Sequence, residues 1–210
     1  NFIGDVAFFR EYERQGVDPL RHLELPESDY SVANFEFPLT ASGKKYFYDA
    51  SDEYRVSIEY GSSLNYSVFN LYGLANNHML DYGIEGIEAT KEVLHEAGVS
   101  SFGTSSCSGF DVFRESISGI EFAFIAAVKP GRWSSDGLGP NIIDESLLGL
   151  VEKLQDQVDH VVLYLHWGTE LVDAPDPNDV NFARQLIDCG ASCVIGHHPH
   201  VVQGYEEYNG

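Results

Sequence analysis

Short apolar runs alternate along this chain with stretches of helical period. Residues 2–8, 31–37, 68–75, 99–102, 120–128, 160–166 and 193–195 cluster apolar side chains between Gly, Asp or Asn, the pattern of buried strands. Over residues 84–97, Ile84, Ile87, Val93 and Leu94 share one helical face and Gly98 follows, which predicts a helix with a glycine stop. Residues 142–158 and 176–189 read as two further helices, the second with Pro177 in its first turn. Helices alternating with buried strands predict an α/β fold. Residues 10–30 and 41–65 mix polar and aromatic positions without a usable period. Residues 129–140, with several Gly and Pro and with Trp133, read as a long surface loop of the kind that borders sites.

Composition narrows the partners. The 210 residues suit one domain over 1–210, and a 43% hydrophobic share is ample for a core. With 33 acidic against 12 basic side chains the formal charge is −21, which argues against nucleic acid and against anionic membrane surfaces. An anionic substrate would need a metal ion or a local basic pocket. Lys44, Lys45, Lys129 and Arg132 are the only hint of such a pocket. The longest apolar run, residues 122–128, falls far short of the roughly 18–20 residues of a membrane helix. No signal peptide is visible, and the opening on Asn1 reads as an excised domain. Cys107, Cys189 and Cys193 lack metal or disulfide spacing and read as free buried thiols.

Polar chemistry gathers just after the predicted strands. Asp5 follows the first; Asn34 and Glu36 close the second; Asn76, Asn77 and His78 close the third, with Asp81 three residues on. His166 ends another, Glu170 lies four residues later, and His197, His198 and His200 follow the last. Carboxyl ends of parallel strands are where open α/β sheets collect ligands. Pro199 pushes His198 toward extended backbone, which would point His198 and His200 to one centre and His197 away from it. Neutral imidazoles with carboxylates suit Mn, Fe or Zn. Each residue also has a plain structural reading: Asp5 as a turn or cap, the Asn pair as left-handed backbone, His166 as a packed strand end, the last histidines as a solvated turn.

The order of these motifs is more specific. Gly4-Asp5, then Asn34-Phe35-Glu36, Asn76-Asn77-His78 with Asp81 and Gly83, His166-Trp167-Gly168 with Glu170, and Gly196 with His198-Pro199-His200-Val201 resemble the capsule-synthesis CapA family over nearly the whole chain. That family, linked to poly-γ-glutamate capsules, is similar to the calcineurin-like metallophosphatases. The resemblance implies a four-layer α/β/β/α sandwich with two divalent metals at one sheet edge. Asp5 and His200 would hold the first metal, Glu36 would bridge, and Asn77, His166 and His198 would complete the second. His78 would be the general acid or electrostatic partner, oriented by Asp81. Glu170 would act at a metal or just behind it, and Asn34 and His197 would lie around substrate or ligands. The implied location is the bacterial cell envelope or surface, and the implied partners are an anionic small molecule or polymer and other capsule-synthesis proteins. Because that family continues into a further strand and loop, part of the domain is expected beyond Gly210.

Two departures bear on activity. The metallophosphatases usually carry Asp-x-His in the first motif, but here Asp5-Val6-Ala7 lacks the histidine. Their bridging residue is usually Asp in a Gly-Asp pair, where this chain has Glu36. Three readings follow: a metal-dependent hydrolase whose metal-activated water attacks a phosphoester or related anionic bond, a non-catalytic accessory or binding protein of capsule assembly or export on the same fold, and a degenerate scaffold that keeps its ligands for stability.

Overall fold

The computed structural model describes residues 1–8, 10–41, 45–46, 54–105, 109–131 and 139–210. In chain order its elements are β1 (Phe2–Val6), α1 (Arg10–Gln15), β2 (Val32–Phe35), β3 (Leu39–Thr40), β4 (Val56–Ser57), α2 (Ile58–Gly61), β5 (Leu71–Gly73), α3 (Gly83–Glu96), β6 (Ser100–Phe102), β7 (Thr104–Ser105), β8 (Phe113–Ile117), β9 (Ile120–Val128), β10 (Gly139–Pro140), α4 (Ser146–Leu154), β11 (His160–His166), α5 (Pro177–Asp188) and β12 (Cys193–His197). Two four-stranded sheets dominate. One, ordered β1-β2-β5-β6, is parallel throughout; the other, ordered β12-β11-β9-β8, is parallel except for β8. The fold is thus mixed α/β, as the alternation of runs predicts.

Strand alternation decides what each face meets. On β11, Val161, Leu163 and Leu165 join Leu147, Val151 and Leu154 of α4 and Leu186 of α5 in one cluster, while Val162 and Tyr164 turn the other way. On β9, Ala123, Ile125 and Ala127 accompany the first set, Phe124 and Ala126 the second. The second set meets Val32, Leu71 and Phe102 of the parallel sheet, so one apolar cluster joins both sheets. The parallel sheet's opposite face, with Ala33, Phe35 and Tyr72, packs with Ile87, Val93 and Leu94 of α3. Gly103 permits close approach: at φ 95°, an added Cβ would stand 2.7 Å from the Ala126 Cβ.

The structure revises several expected boundaries. The helix expected over 142–158 is α4 alone, because Ile142 bridges to Val128 and the Asn141 side chain donates to the Ala126 carbonyl at 2.9 Å. Strand β8 is unanticipated; Ser118 and Gly119, both at positive φ, close a two-residue hairpin into β9. α3 and α5 fall where expected, and the Asp176 carboxylate caps α5 by accepting from the Asn178 amide at 2.8 Å. Cys189 and Cys193 are free thiols but only half-buried, rather than buried as expected. Cys107, Lys44, Arg132, Trp133 and most of the expected 129–140 loop lie outside the described residues. Among the described residues no helix is long and apolar enough to cross a membrane.

Candidate metal centre

Period-two alternation carries the polar strand ends to the layer between the sheets. Val32 faces that layer, and so does Asn34 two residues on, with Glu36 next in the same phase. The same count takes β11 from Val162 and Tyr164 to His166, and β12 from Cys193 and Ile195 to His197. β1 needs a correction to that count. Phe2 pairs with Val32 but Asp5 pairs with Asn34, three residues against two, and this bulge turns Asp5 onto the face of Asn34. β1 also runs beside β12, so the carboxyl ends of both sheets converge.

There the side chains form a tight cluster. Asp5 Oδ1 accepts from Asn34 Nδ2 at 2.8 Å, and Oδ2 accepts from the His198 amide at 2.9 Å. Asp5 Oδ2 lies 3.1 Å from His200 Nδ1, and Oδ1 lies 3.2 Å from His197 Nδ1. Glu36 Oε1 stands 3.6 Å from His166 Nε2 and 3.9 Å from His200 Nε2. His166 Nε2 is 2.8 Å from Asn77 Oδ1, and His166 Nδ1 is 2.8 Å from His197 Nδ1. Two sets of ligand atoms lie within 4.8 Å of one another and share a carboxylate: Asp5, Glu36 and His200, and Glu36, His166 and His198. Glu170, His198 and His200 form a more exposed set, and Asp5, His166 and His197 an inner one.

The electrostatics single out Glu36. It is 0% exposed, and among the described residues neither carboxylate oxygen has a partner in hydrogen-bond geometry. Burial, then the nearby Asp5 and Glu170 charges, push its pKa well above the ordinary range. A buried carboxylate without donors calls for a proton or a cation. Asp5 behaves oppositely: burial raises it, but the His197 hydrogen bond, attraction to His197 and His166, and Asn34 outweigh burial and hold it well below the usual carboxylate range. Burial and the adjacent His197 lower the His166 pKa strongly, against the pull of Asp5. Burial also lowers His198, whose Nδ1 has no partner among the described residues. Neutral imidazoles beside buried carboxylates are the donor set that divalent transition ions take.

The β5 loop adds a separate pair. The Asp81 carboxylate lies 2.8 Å from His78 Nδ1, and Tyr54 stacks on the His78 ring at 3.8 Å with the planes 12° apart. Buried Asn76 pins the loop: its Oδ1 accepts from the His78 and Met79 amides at 3.2 and 3.0 Å, and its Nδ2 donates to Asn34 Oδ1 and the Phe35 carbonyl.

Against this geometry, comparison with known proteins is decisive for family. A family model for the bacterial capsule synthesis protein PGA_cap matches residues 1–210. The chain belongs to the PGA_cap family. It is 29% identical to the capsule biosynthesis protein CapA of Bacillus anthracis over 98% of this chain and 55% of that one. It is 27% identical to the PGA biosynthesis protein CapA of Bacillus subtilis over 100% of this chain and 59% of that one. A probable polyglutamine synthesis accessory protein of Mycobacterium tuberculosis is 30% identical over 92% of this chain and 55% of its own length. The chain therefore spans little more than half the length of these relatives. A crystal structure of a hypothetical protein from Thermus thermophilus shares the fold, with TM-score 0.50 at 20% identity over 95% of this chain and 67% of that one.

In this PGA_cap chain, Asp5, Asn34, Glu36, Asn77, His166, His197, His198, His200 and, at its rim, Glu170 come together, while His78 and Asp81 pair beside them. The expected orientation of His197 is overturned. β12 runs to residue 197, so strand alternation buries His197 toward Asp5 and His166. His198 is not in the ordinary extended region that Pro199 favours: His198 has φ 103° and His200 φ 55°. Such backbone outliers are uncommon away from functional sites and tight turns. The sequence reading missed Tyr54, which sits in a stretch without a period, and the anchoring role of Asn76. An asparagine pair at a strand end is the signal that could have pointed to Asn76.

Proposed function

We propose that this chain is the metal-dependent, hydrolase-like domain of a capsule (poly-γ-glutamate) biosynthesis protein, acting on a phosphoester or related anionic bond with two divalent ions, Mn, Fe or Zn. The observation that carries this reading is Glu36, a fully buried carboxylate with both oxygens unpartnered among the described residues and two imidazoles close by. Asp5, Glu36 and His200 would hold one ion; Glu36, Asn77, His166 and His198 would hold the other. When bound, such a pair supplies Lewis-acid polarisation and water activation. His78 would give a proton as general acid or act as an electrostatic partner, with its Nδ1 engaged by Asp81 and its ring steadied by Tyr54. A groove of about 1050 Å³, lined mostly by α5, β12 and residues 201–210, reaches Asp5, His198 and His200 at one side of the centre and would give substrate access there. The three apolar clusters support a four-layer α/β/β/α sandwich of the metallophosphatase type. The family supports a role at the cell envelope with other capsule-synthesis proteins.

A second reading, a non-catalytic accessory in capsule assembly or export, draws support from Ala7, where the hydrolase pattern has histidine, and from the name of the mycobacterial relative. Assaying a generic phosphodiester with Mn-, Fe- and Zn-loaded protein separates the two. Hydrolysis lost in His78→Ala at unchanged metal content supports the enzyme. No turnover with any metal, together with capsule polymer restored in cells by His78→Ala, supports the accessory.

A further inference from the structure

Resting on the metal-centre reading, we propose that His197 is the positioning residue for His166, and that the hydrogen bond between their Nδ1 atoms reverses direction when a cation takes His166 Nε2. A metal-ligating histidine ordinarily donates its second ring N–H to a carboxylate, carbonyl or water, which fixes the ring. His166 departs from that rule. Its Nδ1 meets His197 Nδ1 at 2.8 Å, whereas the Asp5 carboxylate oxygen is 3.8 Å away and Asn34 Nδ2, at 3.5 Å, is itself a donor. The partner that orients His166 is therefore another imidazole. His197 is itself firmly placed, since it is buried, sits opposite His166 in the β11–β12 register, and lies 4.7 Å from the Tyr164 ring.

The partners assign the protons. Without a cation, His166 Nε2–H donates to Asn77 Oδ1, so His166 Nδ1 is an acceptor. His197 Nδ1–H then serves both His166 Nδ1 at 2.8 Å and Asp5 Oδ1 at 3.2 Å, and its buried Nε2, which has no partner among the described residues, stays bare. A ligand nitrogen must offer its lone pair. With His166 Nε2 so committed, its proton resides on Nδ1 and donates to His197 Nδ1, and the His197 proton resides on Nε2. The His197 contact with Asp5 Oδ1 is then given up, Asp5 being itself one of the groups that would hold an ion. Each imidazole keeps one proton throughout, so the exchange is a paired change of tautomer without a change of charge.

The test uses nitrogen-15 NMR of the imidazoles in the whole chain, chelated and zinc-loaded, with zinc affinity measured by calorimetry for wild type, His197→Phe and His197→Asn. The expected result is His197 protonated at Nδ1 in chelator and at Nε2 with zinc. His197→Phe should bind zinc about 10–100-fold more weakly, and His197→Asn, which restores an acceptor, should recover most of that loss. Thermal unfolding in chelator checks that the variants fold, and the wild-type spectra decide the matter if they do not. His197 keeping its Nδ1 proton with zinc bound, zinc directly on His197, or unchanged affinity in His197→Phe would overturn the proposal alone. Wild-type protein that binds no zinc would overturn the metal-centre reading and this proposal with it.

Discussion

Replacing Glu36 by Gln probes the centre at its most constrained point. The side chain is isosteric, so packing around a 0% exposed position is kept while the charge goes. Glu36 belongs to both ligand sets, Asp5–Glu36–His200 and Glu36–His166–His198, so an amide there weakens both. A cation that binds only the folded chain stabilises it by about 2.7 kcal/mol at a free concentration 100 times its dissociation constant. For a domain of this size each kcal/mol moves Tm by about 2–4 °C, so one filled site raises wild-type Tm by about 5–11 °C. Glu36→Gln should lose most of that rise. In chelator the order should level or invert, because the amide brings no buried charge beside Asp5 and neither carboxylate oxygen of Glu36 has a donor among the described residues to lose. Differential scanning calorimetry of both proteins, with Mn²⁺ and with chelator, reads all four values. An equal manganese-induced rise in the two proteins, or an equal loss of stability in both media, would refute the reasoning.

Further expectations follow from other parts of the molecule. Gly103→Ala places a methyl 2.7 Å from the Ala126 Cβ at a left-handed φ, and urea unfolding should show a loss of about 2–5 kcal/mol; near-neutral stability would mean that the sheets separate more easily than their packing implies. Asp81→Asn removes the carboxylate 2.8 Å from His78 Nδ1 and should cut phosphodiester turnover at unchanged metal content, by up to the roughly 10²–10⁴-fold that a general acid contributes; unaltered turnover would remove the pair from the chemistry. Burial, then the Glu115 charge, pushes the Tyr30 phenol up to about 12. A folded-state value above the unfolded one, about 10, adds stability below it that is lost as pH rises toward 12. Urea titrations between these limits should therefore show a steeper loss in wild type than in Tyr30→Phe, and parallel curves would contradict the assignment.

Much of this architecture is legible in the chain because strands buried on both faces write themselves as apolar runs, and because the polar residues break those runs at their carboxyl ends. That is why Asp5, Glu36, Asn77 and His166 stand out as a group from the residues alone. What escapes depends on counts that only pairing reveals. The bulge that turns Asp5 inward is a three-against-two register with β2, invisible in a single strand. His197 is misdirected when the strand is ended at residue 195, and two more residues of β12 place it beside Ile195 and Cys193 on the inner face. The start of the expected helix at 142 is held instead by a bridge to Val128, a tertiary contact that overrides local period. Tyr54 reaches His78 from a segment with no pattern, since its role is one stacking contact across the loop rather than a place in a face.

The central claim is the pair of ions, and elemental analysis after reconstitution tests it most directly. Wild-type protein loaded in turn with Mn, Fe and Zn and then freed of excess should retain about two ions per chain with at least one of the metals. Glu36→Gln should retain fewer under the same treatment. Retention of none by wild type, with every metal tried, would contradict the account.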